Sequence, residues 1–408
     1  MGILLSIRLD EKVVQRLIIM LRFSRSSRKA SSSVFVVLFV LGLLVGGLGA
    51  YYINTVQINN LKGQVNDLQS QVASIRGSLN QTITNQTITI FQNSTSLVEI
   101  YANASASVVL INGYFADGSS EVQGSGFVYD YSGRMVVLTN YHVVQDTSSL
   151  SVTFSDGNGY AATILGTDPY ADLAVVSVDA PANELKPLAM VSSSSLRVGD
   201  EVIAIGNPYG LVGSLTTGVV SALGRSEQAD FSSSFSIANL VQTSTPINPG
   251  NSGGPLLNSL SQVIGITNSI VSDSQGLGFA IPSNTILREI PSLVATGSYS
   301  GHSYLGIHVV DMSYDLAQQQ NVNVTYGVWI PTDSGQTIID PNGPSSGRIR
   351  EGDVIIALND TRIVNNDNLA SYLEENTLPN DLLIVKVVRN NATTTVNVIL
   401  GTRPAANP

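Results

Sequence analysis

The chain has 408 residues, a mass of 43.1 kDa and a formal net charge of −10. That length suits two or three domains of about 150 residues, and 43% hydrophobic against 12% charged residues excludes a disordered polyelectrolyte. Cysteine is absent, which excludes disulfides, a thiolate zinc site and a cysteine nucleophile, and only His142, His302 and His308 can supply an imidazole.

The first recognisable element is Val34 to Ile53, a run of 20 residues without a charge. As a helix it spans about 30 Å, the thickness of a hydrocarbon core. Thirteen of the 20 are Val, Leu, Ile or Phe, which favours insertion by about 4–8 kcal/mol before the glycines are set against it. The preceding residues carry a charge of +5 and those following carry −15, so the positive-inside rule keeps residues 1–33 as a basic cytoplasmic tail and places everything after Ile53 outside. The competing reading, a cleaved signal peptide, wants a shorter apolar region and a small-residue cleavage site; an uncleaved single-pass anchor fits better. Met20 would serve as a start as well as Met1, because Arg22, Arg25, Arg28 and Lys29 keep the positive flank. Seven glycosylation sequons, at Asn80, Asn85, Asn93, Asn103, Asn323, Asn359 and Asn391, all fall on the outer side. An acidic ectodomain argues against nucleic-acid binding.

Beyond the anchor, Ile58, Leu61, Val65, Leu68, Val72, Ile75 and Leu79 alternate at spacings of three and four, the seam of a short coiled coil. β-branched residues dominate the first core position, which leans toward a parallel dimer; a lone amphipathic helix is the alternative. Residues 81–96, rich in Thr, Asn and Gln, read as an extended polar linker, so that 54–96 forms a stalk and linker.

From about Leu97 the pattern changes to short Val/Ile-rich runs separated by turn residues. Val108–Asn112, Gly126–Tyr129, Met135–Thr139, Leu150–Phe154, Ala174–Val178, Glu201–Ile205, Gly218–Ala222 and Val263–Thr267 read as strands of a mainly β domain over residues 97–290, a length that suits a double six-stranded barrel. Three motifs lie within it: Thr139-Asn140-Tyr141-His142 at a strand end, Ala171-Asp172-Leu173 at a strand start, and Pro249-Gly250-Asn251-Ser252-Gly253-Gly254-Pro255. A serine hydroxyl needs a base to take its proton, and an imidazole near pKa 6.5 is suited to that task. The imidazole in turn needs a buried carboxylate to fix its tautomer. Glycines beside the serine let backbone N–H groups converge where an oxyanion forms. Each motif alone has an ordinary structural reading; their joint occurrence, in the order His, Asp, Ser used by the chymotrypsin group, points to His142 as base, Asp172 as its orienter and Ser252 as nucleophile. Asp168 competes with Asp172 but sits in Asp168-Pro169, a turn signal. His302 and His308 lie beyond the serine in a separate domain.

The strings GSGFVYD at Gly124–Asp130, TNYHVV, ADLAVV, IGNPYGLVGSLTTGVVSALGR at Ile205–Arg225, QTSTPINPGNSGGPLLN at Gln242–Asn258, VIGIT at Val263–Thr267 and GLGFAIPSN at Gly276–Asn284 resemble the HtrA (DegP/DegQ/DegS) family of trypsin-fold serine proteases. The resemblance implies an oxyanion hole at Gly250, Asn251 and Ser252, and an S1 pocket near Ile247 and Ile270 that favours small or medium aliphatic P1 residues. Pro246 replaces the family's usual alanine, at a place where trypsins of basic specificity carry an acid, so basic P1 specificity is not expected. Ser226–Asn239 matches the family's sensor loop in position, and the loop after Asn112 is short.

Residues 291–302 read as a linker. The remaining segment, 303–402, carries Tyr304-Leu305-Gly306-Ile307, then Arg350-Glu351-Gly352-Asp353, a helical stretch at Asn366–Glu375 and strands at Leu382–Arg389 and Thr394–Leu400. It is similar to a PDZ domain, which adds a peptide to a sheet edge and captures its terminal carboxylate in a loop of N–H groups, here Tyr304–Ile307 by resemblance; the alternative is that Tyr304 and Leu305 only pack the core. The expectation is a membrane-anchored extracytoplasmic serine endopeptidase acting on unfolded or misfolded proteins and C-terminal tails, without metal or organic cofactor. Its oligomer is a trimer by resemblance or a dimer by the seam. A dedicated regulatory protease and a non-proteolytic chaperone scaffold are the rival readings.

Overall fold

A computed structural model describes residues 31–92, 96–116, 121–207, 213–228, 235–248, 250–268, 276–332 and 337–406. The basic tail, the sequon at Asn93 and the S1 candidate Ile270 lie outside those residues. The chain divides into two compact units, Met1–Asn93 and Ser94–Pro408.

The first unit contains one helix, α1 (Ser31–Gln92). Residues 81–92, expected to be extended, continue this helix. Thr, Asn and Gln cost a helix at most about 0.7 kcal/mol each, and no Gly or Pro interrupts the chain between Gly77 and Gln92. The apolar side chains Leu38, Phe39, Leu41, Leu43, Val45 and Leu48 are exposed, as are the seam residues Ile58, Leu61, Val65, Leu68 and Val72. Among the described residues this is one helix long and apolar enough to cross a membrane.

The second unit opens on α2 (Leu97–Ala104), where strands were expected to begin. Ser96 and Glu99 form a reciprocal capping box: the Glu99 N–H donates to Ser96 Oγ at 3.2 Å, and the Ser96 N–H to Glu99 Oε2 at 3.0 Å. Ile100 and Ala104 are thereby set into the core. Strands β1 (Val108–Tyr114), β2 (Glu121–Tyr131) and β3 (Arg134–Thr139) precede a single helical turn, α3 (Tyr141–Val144); β4 (Ser149–Thr153), β5 (Gly159–Asp168) and β6 (Leu173–Val178) follow. They close an antiparallel barrel in the order β1-β2-β3-β6-β5-β4. A second closed barrel has the order β10-β11-β12-β9-β8-β7, from β7 (Glu201–Gly206), β8 (Ser214–Gln228), β9 (Ser236–Thr243), β10 (Pro255–Leu257), β11 (Val263–Asn268) and β12 (Gly278–Pro282). Seven of the eight expected strands fall within these elements, and Leu150–Phe154 overruns β4 by one residue. The pattern missed β5, β9, β10 and β12: β10 is three residues long, and β5 and β12 both begin with glycine.

Helix α4 (Ser283–Thr296) follows the second barrel and ends at Gly297, whose φ is +82°. Residues 291–296 are therefore helical, not linker. Ile286, Ile290 and Leu293 form a buried stripe, and that burial outweighs the break at Pro291. The remaining elements are β13 (Ser303–Tyr304), β14 (Val310–Asp311), α5 (Tyr314–Gln319), β15 (Val328–Trp329), β16 (Val354–Leu358), β17 (Thr361–Arg362), α6 (Asn366–Asn376), β18 (Leu382–Arg389), β19 (Ala392–Ile399) and β20 (Gly401–Thr402). They form a sheet in the order β14-β15-β16-β18-β19 with β17 beside β16, and a separate β13-β20 pair. Leu305, Val328, Ile355, Leu369, Leu383 and Val385 share its core.

Strand β5 is bulged between Ile164 and Gly166, and α4 packs there so closely that a Cβ on Gly166 would lie 2.3 Å from the Leu293 carbonyl oxygen. Gly166→Ala therefore forces the helix off the strand. Urea unfolding is expected to show a loss of about 1–3 kcal/mol; an unchanged midpoint would contradict this seating.

Candidate active site

His142 lies on the single turn α3 at the end of β3, and Asp172 immediately before β6, the strand paired with β3. Pairing of the two strands brings both residues to one end of the first barrel. Asp172 takes a left-handed φ of +51°, which aspartate tolerates better than most residues. Its carboxylate has no solvent exposure. Oδ1 accepts the His142 backbone N–H at 2.9 Å, and Oδ2 stands 2.7 Å from His142 Nδ1. Oδ2 also accepts Asn268 Nδ2 at 2.9 Å, from the end of β11 in the second barrel. A buried carboxylate must be fully paired to remain ionised. An ionised partner places the ring proton on Nδ1 and the basic lone pair on Nε2. Asn140 and Tyr141 fasten the same loop from the other side, donating to the Asp172 carbonyl at 3.0 and 3.1 Å.

The segment Gly250–Gly254 is wedged between the barrels. The Ser125 N–H on β2 donates to the Ser252 carbonyl at 2.8 Å, and Ser125 Oγ donates to the Gly250 carbonyl at 2.6 Å. From β11, Thr267 Oγ1 donates to the Asn251 carbonyl at 2.6 Å, and the Gly253 N–H donates to the Thr267 carbonyl at 2.9 Å. The Asn251 N–H donates to the Asn248 carbonyl at 2.9 Å, closing a turn with Gly250 at φ +97°. Gly253 has φ +85°, and a Cβ there would stand 2.1 Å from the Ser125 carbonyl oxygen and 2.3 Å from Thr139 Oγ1; only glycine fits. A Cβ on Gly124 would meet both Val143, next to His142, and the Ser252 carbonyl. The serine loop and the histidine turn therefore meet across β2. Ser252 itself is 5% exposed. Sequence reasoning did not single out Ser125, Thr267 or Asn268; Ser125 lay within the quoted GSGFVYD string, and Asn268 directly follows VIGIT.

A second His–Asp pair exists. His302 Nε2 is 2.5 Å from Asp168 Oδ2, and its Nδ1 is 3.0 Å from Glu374 Oε2 on α6. Asp168 forms the turn expected of it, its Oδ1 accepting the Tyr170 N–H at 2.9 Å. His302 is buried. Burial alone pulls its pKa down, but the hydrogen bonds to Asp168 and Glu374 outweigh burial and hold it at about 10. Glu374 is likewise disfavoured by burial, yet His302 and Arg288 bring it to about 2. With both ring nitrogens bonded to carboxylates, His302 is engaged at both ends and is not offered to Ser252 as a base.

Ile247 is partly buried against Val202, Val220, Val241 and Ala280 of the second barrel, 2.7 Å from where a Gly278 Cβ would stand. In the C-terminal domain Leu305 does pack the core. The loop Tyr304–Ile307 also lines a cavity of about 250 Å³ together with Leu369, Ala370 and Leu373 of α6. Ser226, Ser236 and Ala238, on β8 and β9 of the second barrel, complete its wall. Gly306 has φ +73°, and its carbonyl accepts the Asp340 N–H at 3.0 Å. Asp367 at the start of α6 accepts Arg225 Nη1 at 3.1 Å and the Ser226 N–H at 3.0 Å, so the described flanks of the Ser226–Asn239 loop touch this helix.

Residues 124–266 match the trypsin-like peptidase domain family, and residues 303–400 match the PDZ domain family. The putative serine protease HhoA of Synechocystis is 40% identical over 256 residues, covering 62% of this chain and 64% of that protein. The chloroplastic Protease Do-like 1 of Arabidopsis thaliana is 38% identical over 298 residues, covering 69% of this chain and 64% of its own length. A probable periplasmic serine endoprotease, DegP-like, of Chlamydia pneumoniae is 38% identical, covering 69% of this chain and 56% of that protein. The matched region thus spans less than two thirds of these relatives. The HtrA-type protease AlgW, solved with a tripeptide, superposes with a TM-score of 0.60 at 28% identity, covering 75% of this chain and 97% of that one. Two closed barrels holding the His142, Asp172 and Ser252 segments together, followed by one PDZ domain, place this chain in the HtrA family of trypsin-like serine proteases.

Proposed function

We propose that this chain is a membrane-anchored, extracytoplasmic serine endopeptidase of protein quality control, with the PDZ domain recognising substrate or C-terminal tails. The observation that carries the reading is the buried Asp172, bonded to the backbone and ring of His142 and to Asn268 across both barrels. His142 Nε2 takes the Ser252 hydroxyl proton as Oγ attacks the scissile carbonyl. Asp172 stabilises the imidazolium that forms, and that proton passes to the leaving amine. Backbone N–H groups of Gly250 and Ser252 receive the oxyanion, and water hydrolyses the acyl-enzyme by the same route. Ile247, set against the aliphatic wall of the second barrel, supports an aliphatic P1 preference.

Exposed apolar residues along α1 and the periplasmic designation of the Chlamydia pneumoniae relative support anchoring with the catalytic unit outside. The exposed seam from Ile58 to Val72 supports self-association, as dimer or trimer. A chain lacking residues 54–80 should lose its cross-linked oligomer yet resist alkaline extraction from membranes; an unchanged oligomer size removes the seam's role, and extraction of the intact chain removes the anchor.

A second reading, a dedicated regulatory protease switched by a tail, is favoured by one feature: β8 and β9 of the peptidase domain wall the PDZ groove, so a bound tail touches the catalytic domain directly. Arg225→Ala removes the tie to Asp367 on α6 and should change the peptide dependence of cleavage several-fold while leaving the uncomplexed peptidase folded. Equal peptide response in wild type and variant would rule this coupling out.

The decisive assay is degradation of an unfolded protein by the full chain, with and without hydrophobic C-terminal peptides. Ser252→Ala is expected to lower kcat by about 10⁶, Asp172→Asn by about 10⁴, and Asn268→Ala by about 10-fold or more through loss of a charge-assisted bond. Residual cleavage by Ser252→Ala at the wild-type rate would overturn the mechanism. Silence of the wild type, with binding of the unfolded protein by both forms, would point to a chaperone.

A further inference from the structure

The buried cluster where the linker meets the peptidase domain is built from Asp168 at the end of β5, Glu289 on α4 and His302, and one donor atom of each lies within 4.8 Å of the others. All three are at least 95% buried. Each has its outer atom held by a different partner. Asp168 Oδ1 accepts the Tyr170 N–H at 2.9 Å, Glu289 Oε1 accepts Arg288 Nη2 at 2.7 Å, and His302 Nδ1 donates to Glu374 Oε2 at 3.0 Å. Facing the interior are Asp168 Oδ2 and His302 Nε2, 2.5 Å apart, and Glu289 Oε2, which has no hydrogen-bond partner although Glu289 has no solvent exposure.

We infer that Asp168, Glu289 and His302 form a binding site for a first-row divalent metal ion of the Zn²⁺ type. Three features argue for it. One imidazole and two carboxylates are a donor set that zinc accepts, with water filling the fourth tetrahedral position. A ligating histidine that passes its other ring N–H to a carboxylate is the outer-shell arrangement by which metal sites fix the tautomer of the ligand, and Glu374 supplies that carboxylate. Two carboxyl groups in contact cannot both be satisfied without a cation or a proton between them, and Glu289 Oε2 beside Asp168 is the atom left unsatisfied.

Charge points the same way. Asp168, Glu289 and Glu374 outnumber the neighbouring Arg288 and Arg403. That excess of carboxylate attracts a cation to the cluster. Donors around a tetrahedral zinc lie about 3.3 Å apart, so the His302–Asp168 contact opens by less than an ångström while the Glu289 contact closes. Such an ion would bind the linker, and through Glu374 the PDZ helix α6, to the peptidase domain, setting where the peptide groove sits against β8 and β9.

The test uses the full chain in detergent, stripped with EDTA and titrated with Co²⁺ and then Zn²⁺. The expected result is one Co²⁺ per chain with visible ligand-field absorption, displaced by Zn²⁺, and a raised thermal midpoint. Glu289→Gln, which keeps the shape of a protonated glutamate and so the fold, should bind Co²⁺ at least about 10-fold more weakly. Glu374→Gln, which touches only the outer side of His302, should weaken it by about 10- to 100-fold. Absence of the absorption band, or wild-type affinity in both variants, overturns the site.

Discussion

Asp172 is a carboxylate with no access to water, and the geometry around the candidate nucleophile follows from the need to satisfy its oxygens with hydrogen bonds. An unpaired buried carboxylate would take up a proton or cost several kcal/mol. Here every donor it uses does a second task. The His142 backbone N–H fixes α3 to the start of β6, the His142 ring is held at Nδ1, and Asn268 reaches over from the second barrel. The docking of the barrels is thus also the completion of the carboxylate's hydrogen bonds, which couples fold and site in one set of contacts.

The serine loop meets the same constraint from its other side. Its carbonyls at Gly250, Asn251 and Ser252 are taken up by Ser125 in one barrel and Thr267 in the other. Backbone so fully committed cannot drift, and Gly253 shows how little room remains. A rigid loop of this kind is what preorganised oxyanion stabilisation requires, because donors that must reorient during reaction lose most of their advantage.

The PDZ domain is joined to the peptidase domain by contacts of two kinds. Near the groove, Asp367 meets Arg225 and Ser226 at a partly exposed surface. Behind it, Glu374, Arg288 and His302 form a buried ionic network with Asp168. Exposed ion pairs contribute little and exchange readily, whereas breaking a buried pair is strongly destabilising. The division suits a domain held at its base by buried contacts and at its groove by weaker ones, with α6 spanning both.

The sequence by itself determined a great deal. Strand periodicity located eight of the twelve barrel strands, and three motifs in one order singled out His142 and Asp172, which the fold brings to 2.7 Å of each other, and Ser252 as the candidate residues. The 20-residue uncharged run similarly announced a membrane-length helix. What the sequence left open follows from interactions with no local signature. Residues 81–92 and 291–296 joined helices because small propensity penalties yield to continuity and to burial of Ile290 and Leu293. Strands β10 and β12 are too short, or begin with too little side chain, to show a period, and exist through their partners. Asn268 is an ordinary strand-end amide until the second barrel brings it to Asp172. Asp168 reads as a turn residue and His302 as a residue beyond the peptidase domain, yet only folding joins them in a buried cluster, since contact between residues 134 positions apart depends on how whole elements pack.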